Sequence, residues 1–461
     1  MRPQRVIPQP VRIEAMPCVF PNAAGLDIGS TEIVVAVPPD RAAEPVRAFG
    51  TFTPDLAALV AWLVGLGIDT VALESTGISW VPIYDLLEQH GITPYLVNGR
   101  HVKIVPGRKS DWNDAQWLQK LHMLGLLHGS FRPDAEILAL RTLVRYRAEV
   151  IHHRAPHILH MQKALLLMNL HLSVVLSDIT GVTGQAIIRA IVAGERDAAR
   201  LAALRNPACK ARVAEITKAL TGTWQAEQLF VLQQALSLFD HYTERIGTCD
   251  QEIERLLAAM ESRGEDAAPL PDLPPAKGKS KTKNAPAAST RAQLARIVGV
   301  DLVAVTGLSA SSVQTILAEI GTDMTRFPTV KHVASWLGLA PHNDISGGKI
   351  LRSRTMKVVN RAAQAFRQAA QSVARSHTAF GSYFRAMRAR KGPQQAVVAT
   401  AHKLARTVYF MLLRGEPFQE ESDTAADERR QEREIRQLAR RAKKLGYTLT
   451  EAAPRTTETP T

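Results

Sequence analysis

Apolar and polar positions change places in short runs between residues 20 and 97, then take up a helical period over most of the remaining chain. Ala24 to Asp27 and Glu32 to Val37 read as strands joined by the turn-forming Gly29-Ser30, and Val46 to Phe52 as a third. Thr53 to Leu66 has helical periodicity and a Thr-Pro start, which predicts Thr53 as N-cap and Pro54 at the first helical position. A buried strand at Thr70 to Leu73, a helix from about Val81 to His90 and a strand at Ile92 to Val97 follow. Two hairpin-linked strands, then strands alternating with helices, predict a mixed α/β sheet.

From Asp111 to Met260 the pattern is mostly helical. Leu229, Leu232, Leu236, Phe239, Thr243, Ile246, Asp250, Ile253, Leu257 and Met260 step alternately by three and four, a heptad seam interrupted by Thr243 and Asp250. An intermolecular coiled coil and an intramolecular helical hairpin both satisfy it. Arg263 to Ser289 is rich in Pro, Ala, Lys and Gly and reads as a flexible linker. Helices are expected to resume near Arg291 and run to about Leu413. A densely charged, exposed helix is expected over Asp423 to Leu445, with disorder after Ala452. The expected organisation is a catalytic α/β domain over 20–130, a helical or coiled-coil region over 131–262, a linker over 263–290, an all-α domain over 291–415 and a charged tail over 416–461.

Charge changes the picture more than composition does. With 46% apolar and 22% charged residues the chain is of the folded class. Between Ile345 and Gly415 stand fourteen Lys or Arg and no Asp or Glu, so the whole formal charge of +14 belongs to that segment. A solvated helix face normally intersperses acids. Their absence points to an extended polyanion, DNA or RNA, against the alternative of a generic basic surface. The longest nearly unbroken apolar stretch, Leu56 to Leu66, is too short to span a bilayer, and the first twenty residues lack an apolar secretion signal. Cys18, Cys209 and Cys249 are too far apart for a CxxC site or a disulfide framework. A cytoplasmic location and no membrane association are expected.

Four acids carry candidate chemistry. Asp27 lies in GLDIG within the first strand, Glu74 in ALESTG at a strand end, and Asp111 and Asp114 three apart at a helix start, hence on one helix face. Acids on buried strands are costly unless paired or metal-bound. A hard divalent cation, Mg²⁺ or Mn²⁺, would relieve the repulsion of four converging carboxylates and suits phosphate chemistry. Taken singly, Asp111 is equally readable as an N-cap and Glu74 as a turn acid. Arg100, His101, Lys103, Arg108 and Lys109 just before the last pair are placed to hold a nucleic-acid backbone. GLDIGSTEIVVAV also resembles the first phosphate loop of actin-like ATPases and sugar kinases, but the second Gly-rich loop those proteins need is not found.

Downstream, Gly299 and Gly307 flank a short helical turn and Ser309 is placed to cap a helix to Ile320, resembling a helix-hairpin-helix element. Val330 to Leu337 reads as a short helix, followed by a polar loop and Ser346-Gly347-Gly348. Paired glycines permit positive φ and close backbone approach, so Ser346 is a candidate exposed nucleophile as well as an ordinary turn serine. Lys349, Arg352 and Arg354 are placed to meet charge on an attacked phosphodiester, and Lys357 and Arg361 beyond join them as candidate nucleic-acid-binding residues. His153, His157 and His160 share a helix face that could bind zinc, but no Cys or acid completes a site. A basic face with Arg141, Arg145 and Arg154 meeting phosphate is the preferred reading.

GLDIG, ALESTG and GRKSDWNDAQWLQKLH, followed far downstream by GLAPHNDISGGKI, resemble the DEDD transposases of insertion-sequence family 110, from about Asn22 to Arg414. The resemblance implies a ribonuclease H-like, RuvC-type domain whose acids are Asp27, Glu74, Asp111 and Asp114. It also implies a helical insertion and a C-terminal transposase domain whose nucleophile, by motif position, is Ser346. Further implications are a composite centre of metal site and serine, often from different protomers of a dimer or tetramer, and guidance by a structured RNA that pairs with donor and target DNA. The charged tail matches no part of that pattern. Two alternatives stay open: a metal-dependent endonuclease or junction resolvase that uses water, and a non-catalytic nucleic-acid-binding protein.

Overall fold

The computed structural model describes residues 17–74, 77–99, 111–263, 283–356, 358, 360–419 and 423–450; for residues 111, 423–427 and 430 only the backbone is described. The chain forms two compact units, residues 1–132 and 133–461. Most of the expected linker, 264–282, lies outside the described residues.

The first unit is built on a five-stranded sheet of β1 (Ala23–Ile28), β2 (Glu32–Ala36), β3 (Val46–Gly50), β4 (Thr70–Glu74) and β5 (Thr93–Val97), in the order β3-β2-β1-β4-β5. Its first three strands pair antiparallel, and β4 and β5 join parallel to β1, which is the ribonuclease H-like order. Odd and even positions of each strand face opposite sides. Leu26, Ile33, Val35, Val71, Leu73 and Leu96 pack against helices α1 (Thr53–Gly65) and α2 (Trp80–Gln89). Val34, Ala36, Ala72 and Val97 face the other way, onto helix α3 (Asp111–Met123). Thr53 is not the N-cap of α1. Phe52 holds that place, because the Asp55 carboxylate accepts the Phe52 amide at 3.3 Å and draws Thr53 into the first turn.

The second unit begins with α4 (Ala135–Leu167), four short helices α5 to α8 (Leu172–Val175, Val182–Val192, Ala198–Ala203, Val213–Ala219), and α9 (Ala226–Ala259). The heptad seam of α9 is used within the chain. Val150 packs on Ile246 and Cys249, while Met161 and Leu165 share a core with Leu232 and Leu236, so α4 and α9 run antiparallel. Asp250, a polar break in the seam, takes Nε and Nη2 of the buried Arg147 at 2.6 and 3.1 Å, and Thr243 accepts from Arg154 at 3.2 Å. Polar residues at seam positions fix register in this way.

Helices α10 (Thr290–Val298), α11 (Ala310–Ile320), α12 (Val330–Trp336), α13 (Arg361–Ser372), α14 (Ala379–Lys391) and α15 (Pro393–Arg414) form the remaining core, and α16 (Asp423–Lys444) is an exposed tail helix. Ser309 caps α11 as the sequence implied, its hydroxyl accepting from the Ser312 amide at 3.2 Å. Among the described residues α15 alone is long and apolar enough to cross a membrane, but half of that stretch is buried, with Thr400 and Leu404 sealed in the core.

The expected loop before the glycine pair is absent from this unit. Residues 341–355 are not part of a helical run with a loop but an antiparallel hairpin, β6 (Pro341–Ser346) and β7 (Lys349–Thr355). Gly347 and Gly348, with φ of 55° and 76°, make the two-residue turn that suits the twist of paired strands. The glycine pair between two β-branched residues, Ile345 and Ile350, was the signal for it.

Candidate functional site

Packing of α3 on the sheet brings the acids to one end of one face. Gly25 makes the approach possible: a Cβ there would overlap the backbone of Ala115 and Gln119. The Gln119 amide also donates to the Ala23 carbonyl at 3.2 Å. Ala23 and Gly25 thus face the middle of α3, and Asp27, the next residue of that parity, lies toward its N-terminal turn. Asp27 pairs with Val34, whose side chain meets Ala115, one residue after Asp114. On the other side Leu26 pairs with Leu73, so Glu74 is the next neighbour of Asp27 along parallel strands, about 5 Å away in the hydrogen-bonding direction. Glu74 shares the α3-facing side with Ala72 and Val97. Its carboxylate lies against Gly99, where any Cβ would overlap it.

Asp27, Glu74 and Asp114 are each partly exposed. The Asp111 side chain and residues 100–110, including Arg100, Lys103, Arg108 and Lys109, lie outside the described residues. Among the described residues no three His, Cys, Asp or Glu side chains close on a point that could hold a metal ion. The donor set nonetheless suits a hard divalent cation: carboxylate oxygens from two adjacent strand ends and the first turn of a helix packed over them.

Ser346 stands at the tip of the β6–β7 hairpin, every residue of which is exposed from Pro341 to Arg354. Its cross-strand partner is Lys349, and Asp344 and His342 are paired with Arg352 and Arg354. Neither Asp344 nor His342 was singled out from the sequence, because only strand pairing sets them beside the cations. Lys357 lies outside the described residues. Arg361 opens α13 and makes an ion pair with Glu149 at 3.7 Å.

The preferred phosphate-facing reading of Arg141, Arg145 and Arg154 is overturned by their partners. Arg141 donates to the Ala318 and Glu319 carbonyls, closing the C-terminal end of α11. Arg145 holds the buried Glu319 carboxylate at 2.8 and 2.7 Å. Arg154 is taken up by Thr243 and Asn284, and burial lowers its pKa. His153 and His157 stack on Tyr242, with centroids at 6.1 and 5.4 Å. These side chains hold the helical hairpin and the bundle together.

A ribonuclease H-like sheet with carboxylates at adjacent strand ends, followed by a largely helical unit, is the frame of a nucleic-acid-processing enzyme. Residues 24–169 match the DEDD transposase model of IS110, and residues 300–385 match the transposase model of the IS116/IS110/IS902 family. The two matches together take in about half of the chain, and the chain belongs to the IS110 family of transposases. It is a DNA transposase, which binds DNA and cleaves and rejoins it in transposition, and its family implies use of a divalent metal. A comparison with curated proteins finds no match.

Proposed function

We propose that this transposase cuts DNA with Ser346 as nucleophile and that Asp27, Glu74, Asp111 and Asp114 hold Mg²⁺, or Mn²⁺ in its place. The observation that carries the reading is the position of Ser346: exposed at a Gly-Gly turn, directly across from Lys349, at the start of a segment, Ile345 to Gly415, that contains no acids. The Ser346 oxygen attacks a phosphodiester, its proton passes to solvent or a nearby base, and one P–O bond to the deoxyribose breaks. A phosphoserine link and a free DNA hydroxyl result. Attack of a hydroxyl from the exchanged strand on that link restores the phosphodiester and frees Ser346, so bond energy is conserved without ATP. When bound, the cation supplies Lewis-acid polarisation of the phosphate and stabilises the departing oxygen. Lys349, Arg352 and Arg354 neutralise charge on the phosphorane. Arg100, Lys103, Arg108, Lys109, Lys357 and Arg361 are assigned to nucleic-acid backbone.

The partners are donor and target DNA and a structured RNA from the element itself, accepted by the acid-free segment, with a homodimer or homotetramer acting on cytoplasmic, nucleoid-associated DNA. The test is to purify the protein with its RNA, supply end-labelled DNA and Mg²⁺, and look for a denaturant-resistant adduct. Ser346→Ala should abolish it, and Asp27→Asn should reduce it at least about 100-fold. An adduct formed by Ser346→Ala would overturn the nucleophile assignment. Cleavage without any adduct would make the enzyme a hydrolase that uses water.

A further inference from the structure

The hairpin holds more order than an exposed loop needs. Along β6, Ser346, Asp344 and His342 share one face, and Ile345, Asn343 and Pro341 the other. A regular ladder from the Ser346–Lys349 pair would set Arg352 opposite Asn343, on the face away from Ser346. Instead the register slips between Asp344 and Ile345: Ile345 pairs with Ile350, and Asp344 with Arg352. Leu351 is the extra residue, left unpaired as a β-bulge and 71% exposed. The slip turns every later pair over. Arg352 then comes onto the Ser346 face about 7 Å from the tip, and Arg354, opposite His342, about 13 Å from it. Ile345 and Ile350, 63% and 60% exposed, are left on the reverse face.

We infer that the bulge sets the phase of the ribbon, so that Ser346, Lys349, Arg352 and Arg354 meet the same DNA strand from one face. The inference rests on Ser346 being the nucleophile. Arg352 and Arg354 are positioning residues that seat the phosphates beside the attacked one, and their side of the ribbon matters as well as their charge. Asp344 sits on this face opposite Arg352.

The geometry makes an unusual prediction about insertions and deletions. One alanine inserted between Asp344 and Ile345 gives Leu351 a partner, makes the ladder regular and turns Arg352 and Arg354 to the reverse face. Deleting Leu351 instead leaves the pairing of all other residues in phase. Combining both changes moves the bulge to β6 and restores the phase. Each variant, in the full-length protein with its RNA, is assayed for the phosphoserine adduct and for DNA affinity over a range of salt. The insertion should lower adduct formation about 100-fold or more, and the Arg352→Ala/Arg354→Ala double variant should lower it to a similar degree. Turned to the reverse face, Arg352 and Arg354 no longer neutralise phosphates, so the insertion and the arginine variant should both show a shallower salt dependence of binding than wild type, whereas the Leu351 deletion should keep the wild-type slope. The Leu351 deletion and the combined variant should keep the adduct within about tenfold of wild type. An insertion variant with wild-type adduct would overturn the inference, as would a combined variant no better than the insertion alone. A Ser346→Ala protein that still forms the adduct would instead remove the reading beneath it, so the two failures are distinguishable.

Discussion

Gly25→Ala tests the link between helix packing and acid placement most directly. The added methyl would overlap Ala115 O and Gln119 N and stand 2.9 Å from Gln119 Cα, all backbone atoms that no rotamer can move aside. Ordinary contact needs about 3.5–4 Å, so α3 must withdraw by roughly 1 Å or more. Overpacking of this kind costs about 1–3 kcal/mol, with the upper end expected where a whole helix must yield. The same shift carries Asp114 away from Asp27 and Glu74. A displacement of about 1 Å in a catalytic constellation is worth roughly 100-fold in rate. The assay is urea unfolding beside Mg²⁺-dependent DNA cleavage under conditions where the variant remains folded. A contrasting variant is Gly247→Ala, in the middle of α9, where a Cβ meets nothing within 4 Å. It should leave cleavage unchanged and gain up to about 1 kcal/mol. If Gly25→Ala keeps both stability and cleavage at wild type, the packing argument for the acids is wrong.

Two further predictions concern buried polar groups. His122, 1% exposed, directs Nε2 at the Thr70 hydroxyl (2.9 Å), which itself donates to the Thr93 carbonyl, so Nε2 is the donor nitrogen. Its Nδ1 has no partner among the described residues, and burial lowers the pKa of His122 to about 4. The fold keeps the neutral ring, so this stability is complete above about pH 6.5 and is lost as pH falls toward 4. Urea midpoints should show about 2 kcal/mol less stability at pH 4.5 than at pH 7, and His122→Gln should flatten part of that slope; an unaltered slope would exclude His122 as its source. In the helical hairpin, Asp250→Leu alone strands the buried Arg147 and should cost about 3 kcal/mol or more in denaturant unfolding. Adding Arg147→Met should recover most of that loss, and failure to recover it would show that the pair acts through more than charge.

Much of the first unit was legible in the sequence because strands and helices of a two-layer sheet carry their own periodicity. The five strands, the first two helices and the Ser309 cap lie within a few residues of where the pattern put them, and strand ends and a helix start suggested four candidate acids. What periodicity cannot give is which surface meets which. The seam of α9 was equally open to a second chain, and only the antiparallel partner α4, with Arg147 opposite Asp250, closes it within one protomer. Of the arginines that looked like a phosphate-facing surface, Arg141 and Arg145 are instead held by Glu319 and helix-end carbonyls and Arg154 by Thr243 and Asn284, partners too far along the chain for a local pattern to reveal. The face on which Arg352 stands depends on one unpaired leucine, and a one-residue slip reverses a strand's side chains without changing its composition. Local sequence determined the elements and the kinds of chemistry; long-range pairing and close packing at Gly25 decided which side chains share a face.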